Sequence, residues 1–171
     1  MSESGIFVFF ADFAPPSLLV RDALPSATHI DVSKQDATKY KVEFVPTVLA
    51  LHNGKEISRV DKYDMTLINS LVSDYKQFLK LKDLTESSRI VAFIKGSKNA
   101  PRCGFTRTLL ELLDGVEYST VDVLSDPFVR EWMKVYSDWP TFPQVYVDGE
   151  FVGGLDIIQQ MDGEEFNSTF K

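Results

Sequence analysis

Phe142-Pro143-Gln144-Val145-Tyr146-Val147-Asp148-Gly149-Glu150-Phe151-Val152, residues 142–152, reads as a strand, a tight turn and a returning strand. Asp148-Gly149 is a turn pair whose positions both tolerate positive φ, and it is flanked by the strand-forming runs Gln144 to Val147 and Glu150 to Val152. The pattern has a precedent in the same chain. Val45-Pro46 is followed by the run Thr47 to Leu51, then Asn53-Gly54, then Lys55 to Val60. Each hairpin is preceded by a proline.

Working outward, the surroundings repeat as well. Ahead of the second hairpin, Ile90 to Ile94 predicts an apolar strand and Cys103 to Leu113 a helix burying Leu109, Leu110, Leu112 and Leu113. Tyr118 to Val123 predicts a strand, and Asp126-Pro127 opens a helix with a capping carboxylate and a proline in its first turn. Gly153-Gly154-Leu155-Asp156 leads into one final helix ending near Phe170. Ahead of the first hairpin stand strand Ile6 to Phe10, Pro15-Pro16 starting a helix over Ser17 to Leu24, strand Thr28 to Val32, and a polar helical stretch Asp36 to Tyr40. Behind it, Leu67, Ile68, Leu71, Val72, Tyr75, Phe78 and Leu79 recur at helical spacing and mark one apolar face. Strand, helix, strand, helix, hairpin, helix occurs twice, which predicts a tandem of two related α/β domains. The boundary is placed near residue 82, giving domains 1–81 and 82–171, because Lys80 to Ser88 is charged while Leu79, Leu81 and Leu84 could still extend a helix.

With 171 residues, 44% of them hydrophobic and 12% aromatic, the chain can bury a real core. One cysteine excludes an intramolecular disulfide, a zinc site of several cysteines and a CxxC redox pair. The net charge of −7 has the wrong sign for general binding to a nucleic-acid backbone. No run approaches the roughly 18 apolar residues of a membrane span, and Met-Ser-Glu-Ser-Gly lacks the basic start of a secretory signal. The expectation is a soluble protein of a reducing compartment, binding neither nucleic acid nor membrane.

The acidity is uneven. Residues 1–80 carry 9 basic and 10 acidic side chains, and 81–171 carry 9 and 15. Inside the acidic half, residues 95–107 hold Lys95, Lys98, Arg102 and Arg107 and no acid, with Cys103 among them. A thiolate at a helix N-terminus is stabilised by unpaired backbone N–H groups and by the helix dipole, and adjacent cations favour it further. A lone cysteine is more often a small buried hydrophobe. Pro101-Arg102 and Gly104 mark an exposed turn into a helix, which favours a reactive Cys103.

Four motifs now stand in order: Lys95-Gly96, Cys103-Gly104-Phe105-Thr106, Trp139-Pro140-Thr141-Phe142-Pro143-Gln144 and Gly153-Gly154-Leu155-Asp156. In them, over residues 85–171, the chain resembles the monothiol glutaredoxins of the CGFS type, with Thr106 where the family usually has serine. The first half resembles a thioredoxin domain: Phe10 to Ser17 aligns with WAxWCGPC and Val45-Pro46-Thr47 with the cis-proline segment. Ala14 and Ser17 fill both thiol positions, which rules out thiol-disulfide exchange by this domain. The whole resembles the multidomain monothiol glutaredoxins of eukaryotic cytosol and nucleus.

The resemblance implies an α/β protein of two thioredoxin-fold domains, each a mixed central sheet flanked by helices, located in the cytoplasm with the nucleus also open. It implies that Cys103 is the thiol and metal ligand. Lys95 and Arg130 would meet the carboxylate end of glutathione or its neighbourhood. Thr141, Phe142 and Pro143 would pair with the tripeptide across a cis peptide, and Leu155 and Asp156 would hold its γ-glutamyl end. A [2Fe-2S] cluster takes four thiolates, so two Cys103 side chains and two glutathiones would have to share it in a homodimer. A BolA-like protein and iron-sulfur clients are the implied partners, and iron homeostasis or sensing the implied role. Glutathione-dependent reduction of mixed disulfides by Cys103, at most a weak enzyme activity, and a non-enzymatic adaptor role for the first domain are the alternatives.

Lesser features carry less. His29 and His52 lack a second ligand at metal-binding spacing, and Asn167-Ser168-Thr169 is read as an accidental glycosylation sequon. Asp162, Glu164 and Glu165 are read as a solvated helix end, Trp132 and Trp139 as core or rim, and Pro15-Pro16 as a helix start.

Overall fold

The computed structural model describes residues 3–171. The chain divides into two compact units, Met1–Gln77 and Phe78–Lys171, so the boundary lies inside a helix a few residues ahead of position 82. Among the described residues no helix is long and apolar enough to cross a membrane.

The first unit runs β1 (Gly5–Phe10), α1 (Pro15–Ala23), β2 (Thr28–Asp31), a 3-10 turn (Thr38–Tyr40), β3 (Thr47–His52), β4 (Lys55–Val60) and α2 (Met65–Leu79). Its sheet has the order β2-β1-β3-β4, with β1 parallel to β2 and antiparallel to β3. Asn53 and Gly54 take φ of 51° and 77°, which suits a turn matched to the strand twist. Alternation along the strands puts Phe7, Phe9, Leu49 and Leu51 on one face, packed with Ile30 and covered by Val32, Ala37, Tyr40 and Val42. Tyr40 lies against Phe9 with ring centroids 4.8 Å apart. The expected helix at Asp36–Tyr40 is only the 3-10 turn Thr38–Tyr40, whose Tyr40 ring is part of that cover. On α2, whose last two residues belong to the second unit, Ile68, Leu71, Tyr75 and Phe78 are buried, but Leu67 and Leu79 are 43% and 47% exposed, so the apolar face is narrower than the periodicity suggests.

The second unit contains α3 (Leu81–Thr85), β5 (Ile90–Ile94), a small hairpin β6 (Gly96–Ser97) and β7 (Ala100–Pro101), α4 (Gly104–Leu112), β8 (Ser119–Asp122), α5 (Pro127–Tyr136), β9 (Gln144–Val147), β10 (Glu150–Gly153), α6 (Leu155–Gln160) and α7 (Gly163–Phe170). Its sheet order, β10-β9-β5-β8, repeats the first unit's, with β5 parallel to β8 and antiparallel to β9. One sheet face, with Ile90, Ala92, Ile94 and Val145, is buried with Leu109, Leu113, Leu155, Ile158 and Phe170 from the helices. On the other, Phe93 and Tyr146 meet edge-on at 5.4 Å and Tyr136 of α5 approaches Tyr146.

Two expectations change here. Leu112 is 37% exposed, so α4 buries Leu109 and Leu113 rather than all four leucines. The terminal helix is two helices, because Met161 is extended and Asp162 starts α7 by accepting from the Glu164 and Glu165 N–H groups. Asp126 caps α5 in the same way, as its sequence predicts. The Arg89 guanidinium donates to the Thr169 and Phe170 carbonyls and fastens the end of α7 beside the start of β5.

Candidate functional site

Cys103 sits at the N-cap of α4 with extended backbone, φ −149° and ψ 143°, and its carbonyl accepts the helix bond from the Arg107 N–H at 3.1 Å. It is half-buried and in no disulfide. The loop before it is held at both ends. The Arg102 N–H donates to the Lys95 carbonyl at 2.8 Å, and the Lys95 N–H donates to the Thr106 hydroxyl at 3.2 Å. Gly96 makes the hairpin possible: its φ is +91°, a Cβ there would lie 2.4 Å from the Ala100 carbonyl oxygen, and its N–H donates to Asp122.

Beside this turn is a cleft of about 440 Å³ lined by Lys95, Phe105, Arg130, Lys134, Pro140, Thr141, Phe142, Pro143, Leu155, Asp156 and Gln159. It gathers Lys95, Arg130, Thr141, Phe142, Pro143, Leu155 and Asp156, residues from four separated stretches of sequence. Cys103 is not part of the lining; it stands two residues before Phe105, which is. The Phe142–Pro143 peptide is cis, as is Val45–Pro46 in the first unit. Asp156 reaches the cleft because α6 starts directly after β10. Gly153, φ +153°, allows that, since a Cβ there would lie 2.6 Å from the Ile157 Cβ.

The cleft carries three cations against one carboxylate. Lys134 is ion-paired with Glu131 at 2.7 Å, and this hydrogen bond holds the Glu131 carboxyl below its ordinary range. Lys95 and Arg130 line the cleft and form no ion pair among the described residues, although the Glu131 carboxylate also feels the Arg130 charge. Lys134, Gln159, Pro140 and Phe105 were not assigned by sequence reasoning. Lys134 and Gln159 follow Arg130 and Asp156 by four and three positions, helical spacings that place them on the same faces. Phe105 is 66% exposed.

The first unit has a concavity of about 700 Å³, bordered by Phe13, Val32, Lys41, Glu43, Phe44 and Val45 among others. Phe13 and Phe44 are 78% and 65% exposed. Ala14 caps α1 where Cys103 caps α4, and Ser17 follows it as Thr106 follows Cys103. Among the described residues no group of three or more His, Cys, Asp or Glu is placed to hold a metal ion. His29 instead bonds the Leu24 carbonyl at 2.9 Å. Trp139 packs its ring near Phe151, at 5.7 Å.

Sheet order, cis prolines and a single thiol capping a helix define a thioredoxin-fold protein with one cysteine. The glutaredoxin family model matches residues 90–152. Glutaredoxin-3 of Mus musculus is 31% identical over 92% of this chain and 55% of its own length. A probable monothiol glutaredoxin 2 of Rickettsia typhi is 45% identical over 47% of this chain and 75% of its own. Among solved structures, a buckwheat glutaredoxin-glutathione complex superposes with a TM-score of 0.50 at 19% identity, over 58% of this chain and 91% of that one, a likeness of fold. The chain belongs to the glutaredoxin family, on its monothiol branch. It spans about half the length of the Glutaredoxin-3 proteins it matches.

Proposed function

We propose that the cleft beside Cys103 binds glutathione and that two copies of the chain, each with its glutathione, hold a [2Fe-2S] cluster for transfer, sensing or iron homeostasis. The observation that carries this is the assembly of Lys95, Arg130 and Asp156 around one cleft next to a single thiol. Glutathione has two carboxylates and one ammonium, which matches Lys95, Arg130 and Asp156 in sign and number. Cys103 supplies one thiolate where such a cluster needs four, so the donor set fits the group only when glutathione and a second copy complete it. Such a cluster, when bound, would supply electron-accepting iron and a releasable cargo. The chain would contribute the Cys103 thiolate and the glutathione seat lined by Lys95, Arg130 and Asp156. A BolA-like protein would replace one of the two copies, and iron-sulfur client proteins would be further partners, in the cytosol or nucleus.

Anaerobic reconstitution with iron, sulfide and glutathione tests the reading. The expected result is a visible cluster spectrum with a dimer mass that Cys103→Ser abolishes. No spectrum from the parent, or one retained by the variant, rejects it.

A second reading uses the same thiol. Cys103 attacks the glutathione sulfur of a protein mixed disulfide and the protein thiolate leaves. A second glutathione thiolate then attacks the Cys103-glutathione disulfide, freeing Cys103 and oxidised glutathione. Turnover of a glutathionylated substrate above the uncatalysed rate would favour it. An adaptor role for the first unit is supported by Ala14 and Ser17 in the thiol positions and by exposed Phe13 and Phe44. Changing both phenylalanines to serine should lower client capture while leaving glutathione affinity unchanged; unaltered capture counts against it.

A further inference from the structure

The peptide of Lys95 is clamped on both sides of Cys103. Arg102, just before the cysteine, donates to its carbonyl, and Thr106, three residues after, accepts from its N–H. Thr106 is fully buried and contributes nothing to the cleft lining, so the extra methyl that distinguishes it from serine does not narrow the site.

The first unit makes a related joint without any thiol. The Ala11 N–H donates to the Ser17 hydroxyl at 3.2 Å, and Ser17 too is fully buried. Ala11 follows β1 as Lys95 follows β5. The hydroxyl in both units therefore accepts from the N–H just past the strand, and that of Ser17 also donates to the Ala14 carbonyl at 2.7 Å and the Ala11 carbonyl at 3.1 Å. It is not a spare nucleophile standing in for a second cysteine. What differs is the residue being held: Ala11 has no side chain to aim, while Lys95 lines the cleft.

We infer that Thr106 is a positioning residue that sets Lys95 against the Cys103 turn, so that the cation and the thiol address one ligand. The inference rests on the reading of the cleft as a glutathione site. The β-branch restricts χ1, which keeps the hydroxyl on the Lys95 N–H more firmly than serine could. Losing the acceptor would leave that N–H unpaired in a largely enclosed setting, and the loop would move to satisfy it.

Calorimetric titration of reduced glutathione onto the full chain decides the matter, with Thr106→Val, Thr106→Ser, Lys95→Met and the double variant Thr106→Val with Lys95→Met. The expected pattern is affinity weakened about 3- to 10-fold by valine, the range of an ordinary pairwise coupling. Serine should stay within about twofold of the parent, and valine should add little once Lys95 is gone. Valine without effect, or with an equal effect in the Lys95→Met background, overturns the inference. A parent that binds no glutathione overturns the cleft reading instead. If the valine variant does not fold, amide hydrogen exchange on the parent still tests the bond: the Lys95 N–H should be protected, and fast exchange there refutes it.

Discussion

The side-chain amide of Gln144 donates to the Trp139 carbonyl at 3.1 Å, tying the first residue of β9 to the far end of the loop that walls the cleft. The same amide donates to the Thr141 carbonyl at 3.2 Å, and its oxygen accepts from the Tyr146 hydroxyl. Gln144 is fully buried, so these are bonds that water cannot replace. Gln144→Leu keeps the volume and removes every partner. The expected cost is about 2–4 kcal/mol of unfolding free energy, read by urea denaturation, because several buried polar groups lose their partners together. A loss under about 0.5 kcal/mol would mean that the loop is held by packing alone.

This strut shows where sequence reading stops. Strands such as Ile90–Ile94 and the Asn53-Gly54 and Asp148-Gly149 turns are legible because alternation and positive φ are properties of a few adjacent residues. Of the seven residues assigned to the cleft, six lie in the motifs that carry the resemblance and Arg130 lies outside them, and no local pattern brings Lys95, Arg130 and Asp156 together. Lys134 was missed although it repeats Arg130 at helical spacing, because charge on a helix is usually a solvated face. The β6–β7 hairpin has only two residues per strand, too few for alternation to register. The break between α6 and α7 depends on the Asp162 side chain turning onto backbone N–H groups, which acidic composition alone does not reveal.

Arg130 and Lys95 line the cleft and form no ion pair among the described residues, so each should contribute to binding an anionic tripeptide. Arg130→Met is expected to weaken glutathione about tenfold, as the loss of a charge-assisted contact does, with the parent's affinity falling as salt rises. Lys134→Met should cost less, since Lys134 is already shared with Glu131. Titration at two ionic strengths measures both. Equal losses at Arg130 and Lys134 would contradict the assigned division of labour.

Asp31, at the end of β2, is bonded by Lys34 at 2.7 Å and by the Ser33 hydroxyl and N–H. These contacts, that with Lys34 foremost, pull its carboxyl down from the ordinary 3.8 to about 2. A folded-state value below the unfolded one stabilises the fold above the unfolded value, and the contribution disappears as pH falls through the folded value. Asp31 should therefore support the first unit fully above about pH 4 and progressively less down to about pH 2. Thermal melts of parent and Asp31→Asn across that interval provide the check. The gap between their midpoints should shrink as pH drops, and a gap that widens contradicts the assignment.

Gly96 and Gly104 flank the same basic turn but answer different demands, so alanine at each separates backbone strain from helix propensity. Gly96 has φ +91°, and an added Cβ would stand 2.4 Å from the Ala100 carbonyl oxygen and 2.8 Å from the Arg102 nitrogen, both backbone atoms that cannot swing aside. Gly96→Ala must open the hairpin, and with it the Arg102 to Lys95 bond that presents the cation. A loss of about 2–4 kcal/mol is expected, together with weaker glutathione binding. Gly104 opens α4, and a Cβ there would meet nothing within 4 Å. Gly104→Ala should therefore be neutral or stabilising by up to about 1 kcal/mol, through helix propensity and a less flexible unfolded chain. Denaturant unfolding of both variants tests the contrast. Comparable losses at the two positions would show that the turn depends on flexibility at Cys103, not on the close backbone approach at Gly96.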